Sequence, residues 1–304
     1  MIENAKSAAL TRGSVFEQRQ LNATEDRLFQ PGNQLIQDQR QLATVLHAGV
    51  VFGLNRSTIS DLITNDVEFL TLSLPDSQGA TVELELIKVE IYAPGFSVKT
   101  AAPTSEKLDA NPGVHYRGIL KGNDQSLAAI SIFNNEVAGF FSSPTGGNSV
   151  VGRLAGDNPS DTHVVYAERD LKVGPELSCD TRDEGASLPQ SMLQAPQELP
   201  GSCIRIYVEA DFDLFQNKGT VTNTANYITA LFNQSATLFV NDGIPITLSE
   251  ILIWNVQSPY AGLTDSISIL SKFQQTRTSF NGDFGHLLAV RHTGGVAASI
   301  NGFC

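Results

Sequence analysis

The sequence predicts an α+β protein in which an antiparallel, β-rich region precedes a region of alternating strands and helices. Three observations predict it. Between residues 71 and 166, short apolar runs of strand type recur between Gly, Asn, Pro and Asp turns. From residue 203 the pattern alternates between strand-like runs and helical spacing, in the order β-α-β-α-β-β. Between the two, residues 170–200 are rich in Asp, Glu, Ser, Gln, Gly and Pro, a composition that reads as an exposed connection open to proteolytic nicking. Four segments follow: an irregular lead over 1–40, a β-rich region over 41–169, an acidic and polar linker over 170–200, and an α/β segment over 201–304.

The lead is polar and Gln/Asn-rich, with little periodicity. Over 43–70, the clusters Val45-Leu46 and Val50-Val51-Phe52 suggest strands around a turn at residues 53–57. Over 71–97, Pro75-Asp76-Ser77-Gln78-Gly79 turns one strand into the next. In the second strand Val82, Leu84 and Leu86 alternate with acids, and the phase then switches to Ile87, Val89 and Ile91. A β-bulge near Leu86-Ile87 would restore the buried face and bend a small curved sheet or barrel. Residues 100–113 read as a loop. Strands at 114–120, 127–133, 137–142, 149–153 and 163–166 then make a meander of hairpins.

In the last segment Ile204, Tyr207 and Val208 open a strand. Thr220 or Thr222 can cap the next helix, whose apolar face is Tyr227-Ile228, Leu231-Phe232, Ser235 and Leu238-Phe239. Asn241-Asp242-Gly243 ends it. Residues 244–254 form a strand apolar enough for burial on both faces. Ile267, Leu270 and Phe273 mark a second helix, 286–291 the next strand, and 296–300 a light strand of small residues.

At 304 residues the chain has room for about two domains. Its net charge of −12 and lack of a basic cluster argue against a nucleic-acid surface. No apolar run is long enough to span a bilayer, and Met1-Ile-Glu-Asn-Ala-Lys-Ser-Ala-Ala-Leu lacks the apolar core of a secretory signal. Three cysteines, Cys179, Cys203 and Cys304, are too few for a disulfide scaffold. The five His, at 47, 115, 163, 286 and 292, show no i, i+4 pair and read as surface or capping residues. Glu209 and Asp211 alternate on one strand and read as solvated strand-end carboxylates. Asn22, Asn55 and Asn233 head N-x-S/T sequons.

Cys203-Ile-Arg-Ile-Tyr-Val-Glu-Ala-Asp and Phe280-Asn-Gly-Asp-Phe-Gly-His-Leu-Leu-Ala-Val, running on to Gly295-Val-Ala and Cys304, resemble the reprolysin (adamalysin) branch of the metzincin zinc endopeptidases. His115-Tyr116-Arg117-Gly118, Ser126-Leu-Ala-Ala-Ile-Ser131 and Gly139-Phe-Phe are similar to that family's pro-region. The resemblance covers roughly residues 114–304. It implies an antiparallel β-rich pro-region, followed by the N-terminal β-α-β-α-β-β part of a metzincin-like α/β catalytic domain. It also implies a secreted precursor that hydrolyses peptide bonds of peptide or protein substrates with a zinc-activated water. The family's H-E-x-x-H-x-x-G-x-x-H helix supplies three His zinc ligands and a Glu base. That motif is absent from these residues, so the resemblance places it beyond Cys304 and leaves this chain inactive by itself.

By the same resemblance, Gly295, Val296 and Ala297 would pair with an extended substrate through their backbone. The ordinary alternative is an edge strand shielded by its neighbours. Cys179 would be an inhibitory zinc ligand, although Asp180 follows it where the family often has Gly; a disulfide or an inert thiol is the alternative. Cys203 and Cys304 would be structural, paired with one another or with cysteines elsewhere. The other function class is a non-enzymatic secreted binding or adhesion module, or a degenerate protease that keeps its pro-region.

Overall fold

The computed structural model describes residues 28–29, 34–35, 42–106, 113–154, 162–174, 203–291 and 294–297. In chain order the elements are β1 (Gln34–Leu35), β2 (Val50–Gly53), α1 (Arg56–Thr64), β3 (Phe69–Pro75), β4 (Thr81–Lys88), β5 (Tyr92–Thr100), β6 (Val114–Leu120), β7 (Asn123–Phe133), β8 (Glu136–Ser143), β9 (Gly147–Arg153) and β10 (Thr162–Ala167). There follow β11 (Ile204–Ala210), α2 (Phe212–Lys218), α3 (Val221–Asn241), β12 (Ile246–Ile253), α4 (Ser266–Thr276) and β13 (Phe284–Leu288). The architecture is mixed, mostly antiparallel β with few helices. Among the described residues no helix is long and apolar enough to cross a membrane.

The chain forms two compact units that exchange segments. One draws its described residues from 1–91, 111–174 and 226–244, the other from 92–110, 175–225 and 245–304. The expected regions over 41–169 and 201–304 are continuous in sequence; the compact units are not. Residues 92–106 go with the later strands, and most of α3 goes with the earlier ones.

The first unit holds a nine-stranded sheet in the order β1-β2-β10-β9-β8-β7-β6-β4-β3, with every pair antiparallel. The meander from β6 to β10 follows the spacing of the turn residues. At the β3–β4 turn, Asp76 Oδ1 accepts from the N–H groups of Gln78 and Ala80, both at 2.9 Å, and Gly79 takes φ 88°. A backbone bent that way favours Gly. The core packs Leu72, Leu74, Leu84 and Leu86 with Tyr116, Ile130, Val137 and Phe141.

Two glycines of the meander are required by strand contact. A Cβ on Gly118 would lie 1.9 Å from the carbonyl oxygen of Glu85, and one on Gly139 2.0 Å from that of Ala129.

Three expectations for this unit are corrected. The β3–β4 and β4–β6 ladders run through Leu86 and Ile87 in unbroken register, so no bulge forms there. The switch of apolar phase marks the end of β4 at Lys88 instead, since the chain leaves the sheet and needs no restored face. Residues 56–64, expected as part of a strand and turn, form α1, with Asn55 as N-cap. Asn55 Oδ1 accepts from Ser57 Oγ at 2.7 Å, and Ile59 and Leu62 turn inward one helical step apart. Lastly, His115 and His163 are interior residues, only 2% and 0% exposed. His115 Nδ1 lies 2.9 Å from Ser131 Oγ, and His163 Nε2 accepts from the Val137 N–H at 3.1 Å. Buried imidazole rings are satisfied here by strand neighbours.

The second unit holds a four-stranded sheet, β13-β11-β12-β5, parallel throughout. The connection from β11 to β12 contains α2 and α3, and that from β12 to β13 contains α4. Parallel neighbours need such crossovers. The fourth strand, β5, comes from far earlier in the chain.

Residues after β5 are clamped in the same unit. Asn255 exchanges two hydrogen bonds with the backbone of Ala102, at 2.9 and 3.0 Å. The carboxylate of Glu106 accepts from the N–H groups of Val221 and Thr222 at 3.0 and 3.1 Å. Those donors open α3 and have no partner within the helix, while Thr220 Oγ1 caps the Asn223 N–H at 3.0 Å. Glu106→Ala should therefore lower stability in urea by about 1 kcal/mol, the usual worth of an N-terminal cap. Glu106→Gln should recover part of it, and an unchanged midpoint in both variants would show that solvent replaces the carboxylate.

Candidate functional site

The polar centre of the second unit lies at the carboxyl ends of β11 and β12, where parallel α/β sheets commonly place ligand sites. Tyr207 and Glu209 share one face of β11 because side chains alternate along a strand. Glu209 is fully buried. Tyr207 Oη donates to its Oε2 at 2.8 Å and Tyr260 Oη to its Oε1 at 2.7 Å. Trp254 Nε1 donates to Oε1, and the Arg277 guanidinium makes a forked contact with both oxygens. Tyr207, Tyr260 and Phe273 form a hydrophobic cluster, joined by half-buried Leu252, Trp254 and Leu287. Arg277 also lies over the Trp254 ring, 5.6 Å from its centre.

Burial, then the adjoining Glu209 carboxylate, raises the Tyr207 phenol well above its ordinary value. Burial and the hydrogen bond to Glu209 do the same to Tyr260. Burial works to lower the Arg277 guanidinium, but the Glu209 hydrogen bond and charge outweigh it and the net shift is upward. Both phenols thus stay protonated as donors. With donors on both oxygens, Glu209 holds β11, the segment after β12 and the end of α4 together.

A second acidic group follows β11. Asp211 is 1% exposed and caps α2, accepting from the Phe212 N–H at 2.6 Å and from Ser258 Oγ. Arg291 Nη2 stands 2.5 Å from Asp211 Oδ2, at an angle that leaves this oxygen without an aligned donor. Arg291 Nη1 meets Asp213 Oδ2 at 2.9 Å, and the Arg291 N–H donates to the same oxygen at 3.1 Å. The pair ties the segment after β13 to the start of α2.

Glu209 and Asp211 were expected as solvated strand-end carboxylates, and their burial corrects this. Crossover helices cover the faces of a parallel sheet, so an acid inside such a strand is buried and must find donors. The Tyr207-x-Glu209 alternation was the available signal. The aromatic and Arg partners lie 45–68 residues away in sequence, and nothing local marks them.

The other singled-out residues lie apart from this centre. Cys179 and Cys304 fall outside the described residues, as does Asn22. Cys203 is an exposed free thiol just before β11. Gly295 occupies a single β-bridge and is exposed, with open space where a Cβ would stand; Val296 is half-buried and Ala297 exposed, both in coil. Of the light strand expected over 296–300, the remainder lies outside the described residues. Asn233 is fully buried, with its Nδ2 turned to the carbonyl oxygens of Tyr116 and Ile130 at 3.4 and 3.3 Å. That sequon is closed to a glycan in the folded chain. Among the described residues no three His, Cys, Asp or Glu side chains are grouped to hold a metal ion; the acids at this centre face Arg277 and Arg291. These residues do not fit zinc, and no hydrolytic step is assigned to them. No family model matches the chain, and no curated protein matches it either.

Proposed function

We propose that these residues are the pro-region and the N-terminal part of the catalytic domain of a secreted zinc metalloendopeptidase precursor of reprolysin type. The observation that carries the reading is the parallel β11–β12–β13 sheet with its two crossover connections, preceded by an antiparallel meander. Buried carboxylates locked by Arg277 and Arg291 supply rigidity at the carboxyl ends of the strands, where a substrate cleft would be built. Peptide or protein substrates would be taken as an added strand along residues 295–297, and Cys179 would hold the precursor latent. On this proposal the zinc-binding helix would lie beyond residue 304.

Sequencing the transcript downstream of the codon for Cys304 tests this directly. The expected result is an open frame reaching H-E-x-x-H within a few dozen codons. The extended protein should then cleave a fluorogenic peptide and lose that activity to EDTA. An in-frame stop directly after Cys304 would overturn the enzyme reading in favour of a non-enzymatic binding module.

A further inference from the structure

Each compact unit contains residues from both sides of 175–202. In the second unit, β5 lies parallel to β12, with Ser97 opposite Glu250, Val98 opposite Ile251 and Thr100 opposite Ile253. The Ala101 N–H continues the ladder to the Ile253 carbonyl at 3.0 Å, and Lys99 Nζ reaches Glu250 Oε2 at 2.6 Å. Asn255 and Glu106 then clamp the segment that follows, the latter at the first turn of α3. In the first unit, the part of α3 from residue 226 onward lies against β6 and β7. There Asn233 accepts from Arg117 Nε at 3.1 Å and turns its amide to Tyr116, Ile130 and Ser131. Ile228, Asn233 and Ala236 are at most 1% exposed.

We propose that the β12 edge is a seat for strand 92–100 and the β6–β7 face a seat for helix residues 226–241. The chain portions before 175 and after 202 therefore hold one another without the peptide that joins them. Hydrolysis within 175–202 adds one water across one amide bond, creates a new carboxylate and a new amino terminus, and touches none of these contacts. Two seats on one pair of fragments act bivalently: opening one leaves the other to recapture the partner. Strand addition supplies backbone affinity at the first seat, and side-chain clamps fix its register. In a protease precursor this would mean that one cut in the linker leaves the pro-region in place. The inference itself stands on contacts inside each unit and holds whether or not the chain belongs to a protease.

The test uses the full chain with a site-specific protease sequence placed within 175–202. After complete cleavage, size exclusion and native mass spectrometry should find one species with the mass of both fragments. Amides of 97–100 should stay as protected from deuterium exchange as in the uncut chain. A triple variant, Glu106→Ala with Asn233→Ala and Asn255→Ala, should come apart at least roughly fivefold faster once cut, while remaining a single species uncut. Separate elution of the two wild-type fragments would overturn the proposal, and so would loss of protection in 97–100. Failure of the protease reading has its own signature, a stop codon after Cys304, and would leave the two-fragment complex untouched.

Discussion

Glu209→Ala should lower stability by about 3–5 kcal/mol, a large fraction of the roughly 5–15 kcal/mol that keeps an ordinary domain folded. The carboxylate is fully buried and accepts from Tyr207, Tyr260, Trp254 and Arg277. Removing it strands one half-buried cation and three neutral donors around an apolar cluster, each retaining desolvation cost without its partner. Glu209→Gln keeps the volume and one acceptor oxygen but turns an NH2 toward the donors, and should cost about 2 kcal/mol. A double-mutant cycle with Arg277→Ala should show coupling of about 1–3 kcal/mol in urea unfolding. A loss under about 1 kcal/mol for Glu209→Ala would mean that the cluster re-forms around water.

The second large effect is expected at Gly139. An added methyl would fall 2.0 Å from the Ala129 carbonyl oxygen, well inside van der Waals contact and against backbone that cannot rotate away. The strand must shift in the middle of the sheet, where Gly139 faces Ile130 on one side and Val151 on the other. Gly139→Ala should therefore cost about 3 kcal/mol. Gly152→Ala is the matched control, since nothing lies within 4 Å of the position its Cβ would take. Ala is there favoured over Gly in a strand by about 0.5–1 kcal/mol. The opposite signs should appear as opposite shifts of the thermal midpoint, and equal shifts would refute the contact argument.

Much of the fold was legible in local pattern. The meander strands lie where turn residues and apolar alternation place them, because a hairpin is specified by residues a few positions apart. The β11–α3–β12–α4–β13 succession was readable for the same reason: apolar period changes from two to 3.6 and back. Helix α1 was not, since its Ser- and Thr-rich turns have weak propensity and depend on Asn55 and on the core beneath Ile59 and Leu62. The Glu209 centre was half legible. Tyr207 and Glu209 stand two residues apart, but the donors that explain the burial arrive from three other segments.

The sequence alone determined the α+β class, the meander strands from residue 114 to 166 and the β11–α3–β12–α4–β13 succession, and it carries the resemblance on which the protease proposal rests. Each of these depends on residues near one another in the chain or on composition. Tertiary structure decided that β5 belongs to the parallel sheet, that residues 226–241 belong with the antiparallel one, and that Glu209 and Asp211 are interior acids. Those outcomes depend on which distant segment supplies a missing edge or a missing donor. No local pattern carries that information, because strand edges and buried carboxylates are satisfied by partners and not by neighbours in sequence.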